Sequence, residues 1–200
     1  SNLWRYGRIR TNSSTPRAKK PKFLRENPHL EIANVLDFVQ AHYGKAGQDF
    51  FFVQVGAFDG VTADPIHHLV KSQQWRGALV EPQLEAFDLL RKNYAGQTGL
   101  QFFNVAIGPS NGKTTLYTRP GGVVQAASIK RHLMEKPGRR GRRLQPRQVP
   151  CWTFDRLLRE ARAPATIDLL QIDAEGYDYQ IIRSLDFQRV KPAIIHYEHM

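Results

Sequence analysis

The chain has 200 residues, 41% hydrophobic and 24% charged, with a formal net charge of +11, which suits one globular domain with a real core. No apolar run approaches the roughly 20 residues that cross a bilayer, and the first residues carry no apolar signal segment. The lone Cys151 excludes an internal disulfide, so the cytoplasm is the expected compartment.

The charge is unevenly placed. Residues 1–26 carry eight Lys and Arg against Glu26, and residues 130–147 carry eight more against Glu135. The rest holds 13 bases and 16 acids, so the body of the chain is slightly acidic. Residues 1–28, with Asn12-Ser13-Ser14-Thr15-Pro16 and Lys19-Lys20-Pro21, read as an irregular basic arm, and residues 29–200 as the domain. Leu30, Ala33, Val35, Leu36, Val39 and Tyr43 approximate helical spacing, which predicts a helix over 30–43 ended by Gly44 and Gly47.

The first strand is predicted over 50–55, an apolar run cut off by Gly56 and Gly60. Thr62 or Asp64 can cap a following helix, with Pro65 at its first position, running to about residue 73. A strand over 77–80 is closed by Glu81-Pro82. Leu84, Phe87, Leu90 and Tyr94 then mark an amphipathic helix over 84–94, and a third strand over 100–105 ends at Ala106-Ile107-Gly108. This alternation predicts an α/β domain with a doubly wound, mainly parallel sheet and right-handed crossovers.

A short strand is expected over 113–117. A basic loop insertion follows over 119–148, with a helical turn near 128–134. Thr153 can cap a helix over 154–161. The fourth strand, 167–172, runs into Asp173-Ala174-Glu175-Gly176; a helix over 177–185 and a fifth strand over 192–197 complete the pattern.

Acids stand at three strand ends: Asp59, Glu81, and Asp173 with Glu175. In a parallel sheet they face one crevice at the topological switch point. Glu81, 25 residues after Gly56, suits a bidentate bond to ribose hydroxyls. A dinucleotide fingerprint would need glycine where Phe58 and Val61 stand, and Phe58 obstructs a pyrophosphate. That argues against a nicotinamide oxidoreductase and for S-adenosylmethionine, whose amino-acid end needs a close backbone turn with acids nearby. Any one of these acids could instead cap a helix or tie a turn; three together at strand ends favour function. His67 and His68 read as surface or packing residues, and Trp75 and Trp152 as core. His196, Glu198 and His199 form no complete ligand set at diagnostic spacing, so no metal is expected.

Residues 51–198 resemble the FkbM family of S-adenosylmethionine-dependent methyltransferases. The resemblance rests on Val55-Gly56-Ala57-Phe58-Asp59-Gly60, Asp64-Pro65-Ile66, Val80-Glu81-Pro82, Asn104-Val105-Ala106-Ile107, Thr153-Phe154-Asp155-Arg156-Leu157-Leu158, Ile172-Asp173-Ala174-Glu175-Gly176-Tyr177 and Pro192-Ala193-Ile194-Ile195. It implies a class I, Rossmann-like fold and methyl transfer to a hydroxyl oxygen of a sugar or natural-product small molecule. It also implies a cofactor site of Gln54, Gly56, Ala57, Phe58, Asp59, Gly60, Glu81, Pro82, Val105, Ala106 and Asp173. Residues 56–60 would cradle the methionine part, Glu81 would hold the ribose, and Val105 and Ala106 would lie near adenine. Asp173 or Glu175 is the expected base, with His196 or Glu198 behind them. The chain departs from the family at Phe58, where many members have Asn. The class I fold ordinarily adds two strands after the fifth, whereas this chain ends at Met200, so a sheet truncated after its fifth strand, with an open pairing edge, is expected. An alternative reading uses the basic arm and loop for an RNA-binding or RNA-modifying methyltransferase. Few aromatics interleave with those bases, and no RNA-binding motif is present.

Overall fold

The computed structural model describes residues 5–7, 47–119, 127–129 and 144–197. Among them, one parallel sheet comprises β1 (Arg5–Gly7), β2 (Phe51–Val55), β3 (Arg76–Val80), β4 (Leu100–Phe103), β9 (Thr166–Ile172) and β10 (Lys191–Tyr197). Their order across the sheet is β4-β3-β2-β9-β10-β1. The chain winds outward from β2 to β4 in one direction and from β9 to β10 in the other. The switch point therefore lies between β2 and β9, where Val55 pairs with Ile172.

Helices cover both faces. On one, α1 (His67–Gln73) and α2 (Leu84–Asn93) supply Leu69, Val70 and Leu90 to a cluster with Phe52, Leu79 and Leu169. On the other, α3 (Phe154–Glu160) and α4 (Asp178–Arg183) pack Phe154, Leu157 and Ile181 against Val53, Val80, Leu170 and Ile172. The central strands are buried on both faces, which is why they read as continuous apolar runs. Trp75 is core, stacked on Phe50 at 3.9 Å between ring centroids. Asp168, in the apolar run of β9, is buried because its Oδ2 accepts the N–H of Phe51 at 2.8 Å. Thr153 caps α3 as expected, its Oγ1 accepting the N–H of Arg156.

Several expectations change. The strand predicted over 100–105 breaks after Phe103, and β5 (Ala106–Ile107) leaves for a second sheet. That sheet, in the order β5-β8-β6-β7, also contains β6 (Gly112–Thr118), β7 (Ala127–Ser128) and β8 (Gln145–Trp152). The insertion read as a loop over 119–148 thus contributes strand at both β7 and β8. The helical turn expected at 128–134 begins instead with strand at Ser128, and 130–134 lie outside the described residues. Pro146 and Pro150 disguised β8. Over 145–150, among the described residues, this strand has only β6 beside it, an edge position that tolerates proline.

Helix α1 begins two residues later than predicted. Asp64 accepts the N–H of Ile66 at 2.8 Å, and Pro65 precedes the helix. Within the predicted irregular arm, β1 lies in parallel along the outer edge of β10, so three residues occupy the edge expected to be open. The predicted helix over 30–43 and most of the two basic segments lie outside the described residues. No described helix is long and apolar enough to cross a membrane.

Candidate functional site

A cleft of about 190 Å³ opens at the switch point. Its floor is the turn after β2. The N–H groups of Gly56 and Ala57 both donate to the carbonyl of Val80, at 2.9 and 3.0 Å, which folds the chain sharply back over β3. Gly56 has φ +79°, and a Cβ there would stand 1.8 Å from the carbonyl oxygen of Asp173. Only glycine lets the turn after β2 and the turn after β9 approach so closely.

Phe58, at φ +49°, holds a left-handed backbone that non-glycine residues rarely adopt. Glu81 secures it: Oε2 accepts the N–H of Phe58 at 2.9 Å, and Oε1 accepts the N–H of Gln83 at 2.8 Å. Glu81 is only 3% exposed, and burial pushes its carboxyl up to about 7, against the pull of those amide donors. The Gln83 side chain also hydrogen-bonds this carboxyl, which leaves it acceptor capacity for one further donor. Val105, Ala106 and Ile107 form an apolar wall beside it, and Leu116, Ala127 and Ile129 of the second sheet continue that wall.

The turn after β9 forms the other lip. Glu175 at φ +47° and Gly176 at φ +90° are both left-handed. Buried Asp178 clamps them, its two oxygens accepting the N–H groups of Ala174 and Gly176 at 3.2 and 3.0 Å. Asp173 is exposed and Glu175 half-buried, and both line the cleft.

Of the residues singled out from sequence, Gln54, Gly56, Ala57, Phe58, Glu81, Pro82, Val105, Ala106, Asp173 and Glu175 line this cleft. Asp59 and Gly60 do not. Asp59 turns away to accept the N–H groups of Val61 and Thr62 and the Thr62 hydroxyl, tying the loop that follows. Gly60 backs onto Leu90 and Tyr94, where a Cβ would meet side-chain atoms at 2.6 Å. His196 does not line the cleft either; Gln171 stands between, with the Nδ1 of His196 hydrogen-bonded to its Oε1. Glu198 lies outside the described residues. Among those residues no cluster of three or more His, Cys, Asp or Glu is placed to hold a metal ion.

Gln171 and Asp178 are members of the site or its frame that the sequence did not single out, and Asp64 and Tyr177, quoted only as a cap candidate or within motifs, also line the cleft. Gln54 and Gln171 pair in register on β2 and β9, both 3% exposed. A polar residue interrupting an apolar strand that should be buried on both faces was the available signal.

A family model described as the methyltransferase FkbM domain matches residues 54–200. It therefore covers the turn after β2, Glu81, the second sheet and the Asp173–Gly176 segment in one span. No curated protein and no solved structure matches the chain. With the family model covering most of the chain, and its span taking in every lip of the cleft, this protein belongs to the FkbM methyltransferase domain family.

Proposed function

We propose that the protein transfers a methyl group from S-adenosylmethionine to a hydroxyl oxygen of a sugar or natural-product small molecule. The carrying observation is Glu81, a buried carboxylate at the end of β3 that is hydrogen-bonded to the left-handed turn beside it. That combination offers ribose hydroxyls a desolvated acceptor next to a backbone surface on which only glycine fits. Residues 56–58 would hold the amino-acid part, Glu81 the ribose, and Val105, Ala106 and Ile107 the adenine. S-adenosylmethionine bound there supplies an electrophilic methyl group on its sulfonium.

The remaining work belongs to the chain. Asp173 and Glu175 stand at the open lip, where either carboxylate could take the proton of an acceptor hydroxyl as the oxygen becomes nucleophilic. Asp178 holds their turn rigid, which favours orientation over adaptability. The strained backbone at Phe58 and Glu175, held in place on both sides of the cleft, supports a pre-organised site. Titration calorimetry with S-adenosylhomocysteine tests the donor half: wild type binds, and Glu81→Ala loses at least tenfold. Absence of binding by well-folded protein would sink the proposal. Labelled methyl transfer to a panel of sugars and polyols then tests the acceptor half.

A further inference from the structure

Three polar side chains stand in one row across the parallel sheet. Gln54 on β2 pairs in register with Gln171 on β9, and Gln171 pairs in register with His196 on β10. Gln171 is 3% exposed and lines the cleft, whereas His196 is half-buried and does not. The Nδ1 of His196 is hydrogen-bonded to the Oε1 of Gln171. An amide oxygen can only accept, so the ring nitrogen is the donor. That bond fixes which way the amide is turned: its oxygen is held on the β10 side, and its NH2 group keeps two N–H donors. Those donors are not spent across the row, because the Oε1 of Gln54 is buried with no hydrogen-bond partner among the described residues. Gln171 also lies two residues before Asp173, whose N–H donates to the carbonyl of Val55 at 2.9 Å and so continues the ladder with β2. The two-residue repeat of a strand puts Gln171 and Asp173 on one face of β9, and both line the cleft.

We infer that the Gln171 amide donates a hydrogen bond to an oxygen of the methyl acceptor, and that His196 is the positioning residue that keeps the amide turned to do so. This rests on the function proposed above, which brings the acceptor to the lip after β9. The ionised carboxylates of Asp173 and Glu175 at that lip can only accept. They suit a hydroxyl that gives up its proton and offer nothing to an oxygen that needs a donor. The Gln171 amide supplies that donor, and a polyhydroxyl acceptor has oxygens for both. Turned the other way, the amide would add a further acceptor beside two carboxylates. His196 prevents that without touching the acceptor, since Gln171 stands between it and the cleft. A water held by the amide is the competing occupant.

Two measurements test this. Heteronuclear NMR of wild type with S-adenosylhomocysteine bound should find a proton on the His196 Nδ1. A ring protonated on Nε2 alone overturns the inference, since Nδ1 could not then donate. Steady-state kinetics then use the best acceptor from a panel of methyl hexopyranosides and myo-inositol. Gln171→Met should raise the acceptor KM about 10-fold, as for the loss of one hydrogen bond, and His196→Phe about fivefold, with kcat changing less. Both should keep S-adenosylhomocysteine affinity within about threefold, which also shows that they fold. His196→Asn, whose side-chain N–H falls near the place of the Nδ1–H, should return KM to within about twofold of wild type. In a Gln171→Met background His196→Phe should add less than about twofold, because nothing remains for the ring to hold. If His196→Phe does not fold, His196→Leu takes its place. An equal effect in both backgrounds, or no rescue by His196→Asn, overturns the positioning role and leaves the proposed function intact. An acceptor KM unmoved by Gln171→Met overturns the inference in favour of the water. If folded wild type binds S-adenosylhomocysteine but methylates nothing in the panel, the acceptor half of the proposed function falls and the inference with it.

Discussion

The turn after β2 and the turn after β9 each pass through a left-handed residue that is not glycine, Phe58 at φ +49° and Glu175 at φ +47°. Each is pinned by a buried carboxylate accepting main-chain N–H groups. The difference lies in where the carboxylate comes from. Glu81 reaches the first turn from a neighbouring strand, 23 residues away, and lines the cleft itself. Asp178 belongs to the helix leaving the second turn and does not line the cleft. On the donor side, brace and proposed ligand group are one side chain. On the acceptor side the brace is separate from the carboxylates that would do chemistry. Substitutions should therefore mix folding with binding on the first side and separate them on the second.

The two turns meet at Gly56, so the largest effect is expected there. Gly56→Ala places a methyl group 1.8 Å from the Asp173 carbonyl oxygen at φ +79°, forcing both turns apart. A loss of more than about 3 kcal/mol in urea unfolding is expected, with ligand binding abolished. A stable, binding-competent Gly56→Ala protein would mean that the turns do not touch.

Glu81 comes next. Its carboxyl rises from 4.5 to about 7 on folding, chiefly through burial. The folded state therefore holds this proton more tightly than the unfolded state. The associated stability is fully present below about pH 4.5 and is lost as pH rises through 7, by about 3 kcal/mol. Unfolding free energies between pH 5 and 8 should show that slope, and Glu81→Gln should flatten it. Ribose hydroxyls donate best to the ionised form, so donor affinity should rise across the same window. An unchanged slope in Glu81→Gln would remove Glu81 as its source.

Asp178→Ala is expected to cost about 2 to 3 kcal/mol, because two half-buried N–H groups lose their acceptor. Binding of S-adenosylhomocysteine should change less than tenfold while turnover falls further. Equal losses in both would erase the contrast between the turns. The smallest effect belongs to Asp59. Its three bonds all close a local, exposed loop, so Asp59→Ala should cost about 1 kcal/mol and leave ligand affinity within twofold.

Much of this architecture was readable from local pattern. Apolar runs that stop at Gly56, Glu81 and Asp173 are buried strands with polar ends, and burial on both faces leaves no other use for such runs. Thr153 announced its helix because capping is a three-residue interaction. Residues such as Gly56 and Glu81 stood out for the same reason: strand ends in a parallel sheet converge wherever the sheet folds.

What only the tertiary structure decided involves pairs distant in sequence. Asp59 looked equivalent to Glu81, yet one faces its own loop and the other the cleft, and what distinguishes them is the bond Glu81 takes from Phe58, 23 residues away. His196 sits a residue removed from the cleft because β9 inserts Gln171 between them. The second sheet, which walls the cleft with Leu116, was hidden because its strand β8 carries two prolines and pairs at length with β6, about thirty residues earlier. The sequence by itself determined which strands are buried and which of their ends are polar, since burial and turn formation act over a few residues. Which of those polar ends share a cavity was decided by strand order and register, because that depends on pairings made across more than a hundred residues, as between Val55 and Ile172.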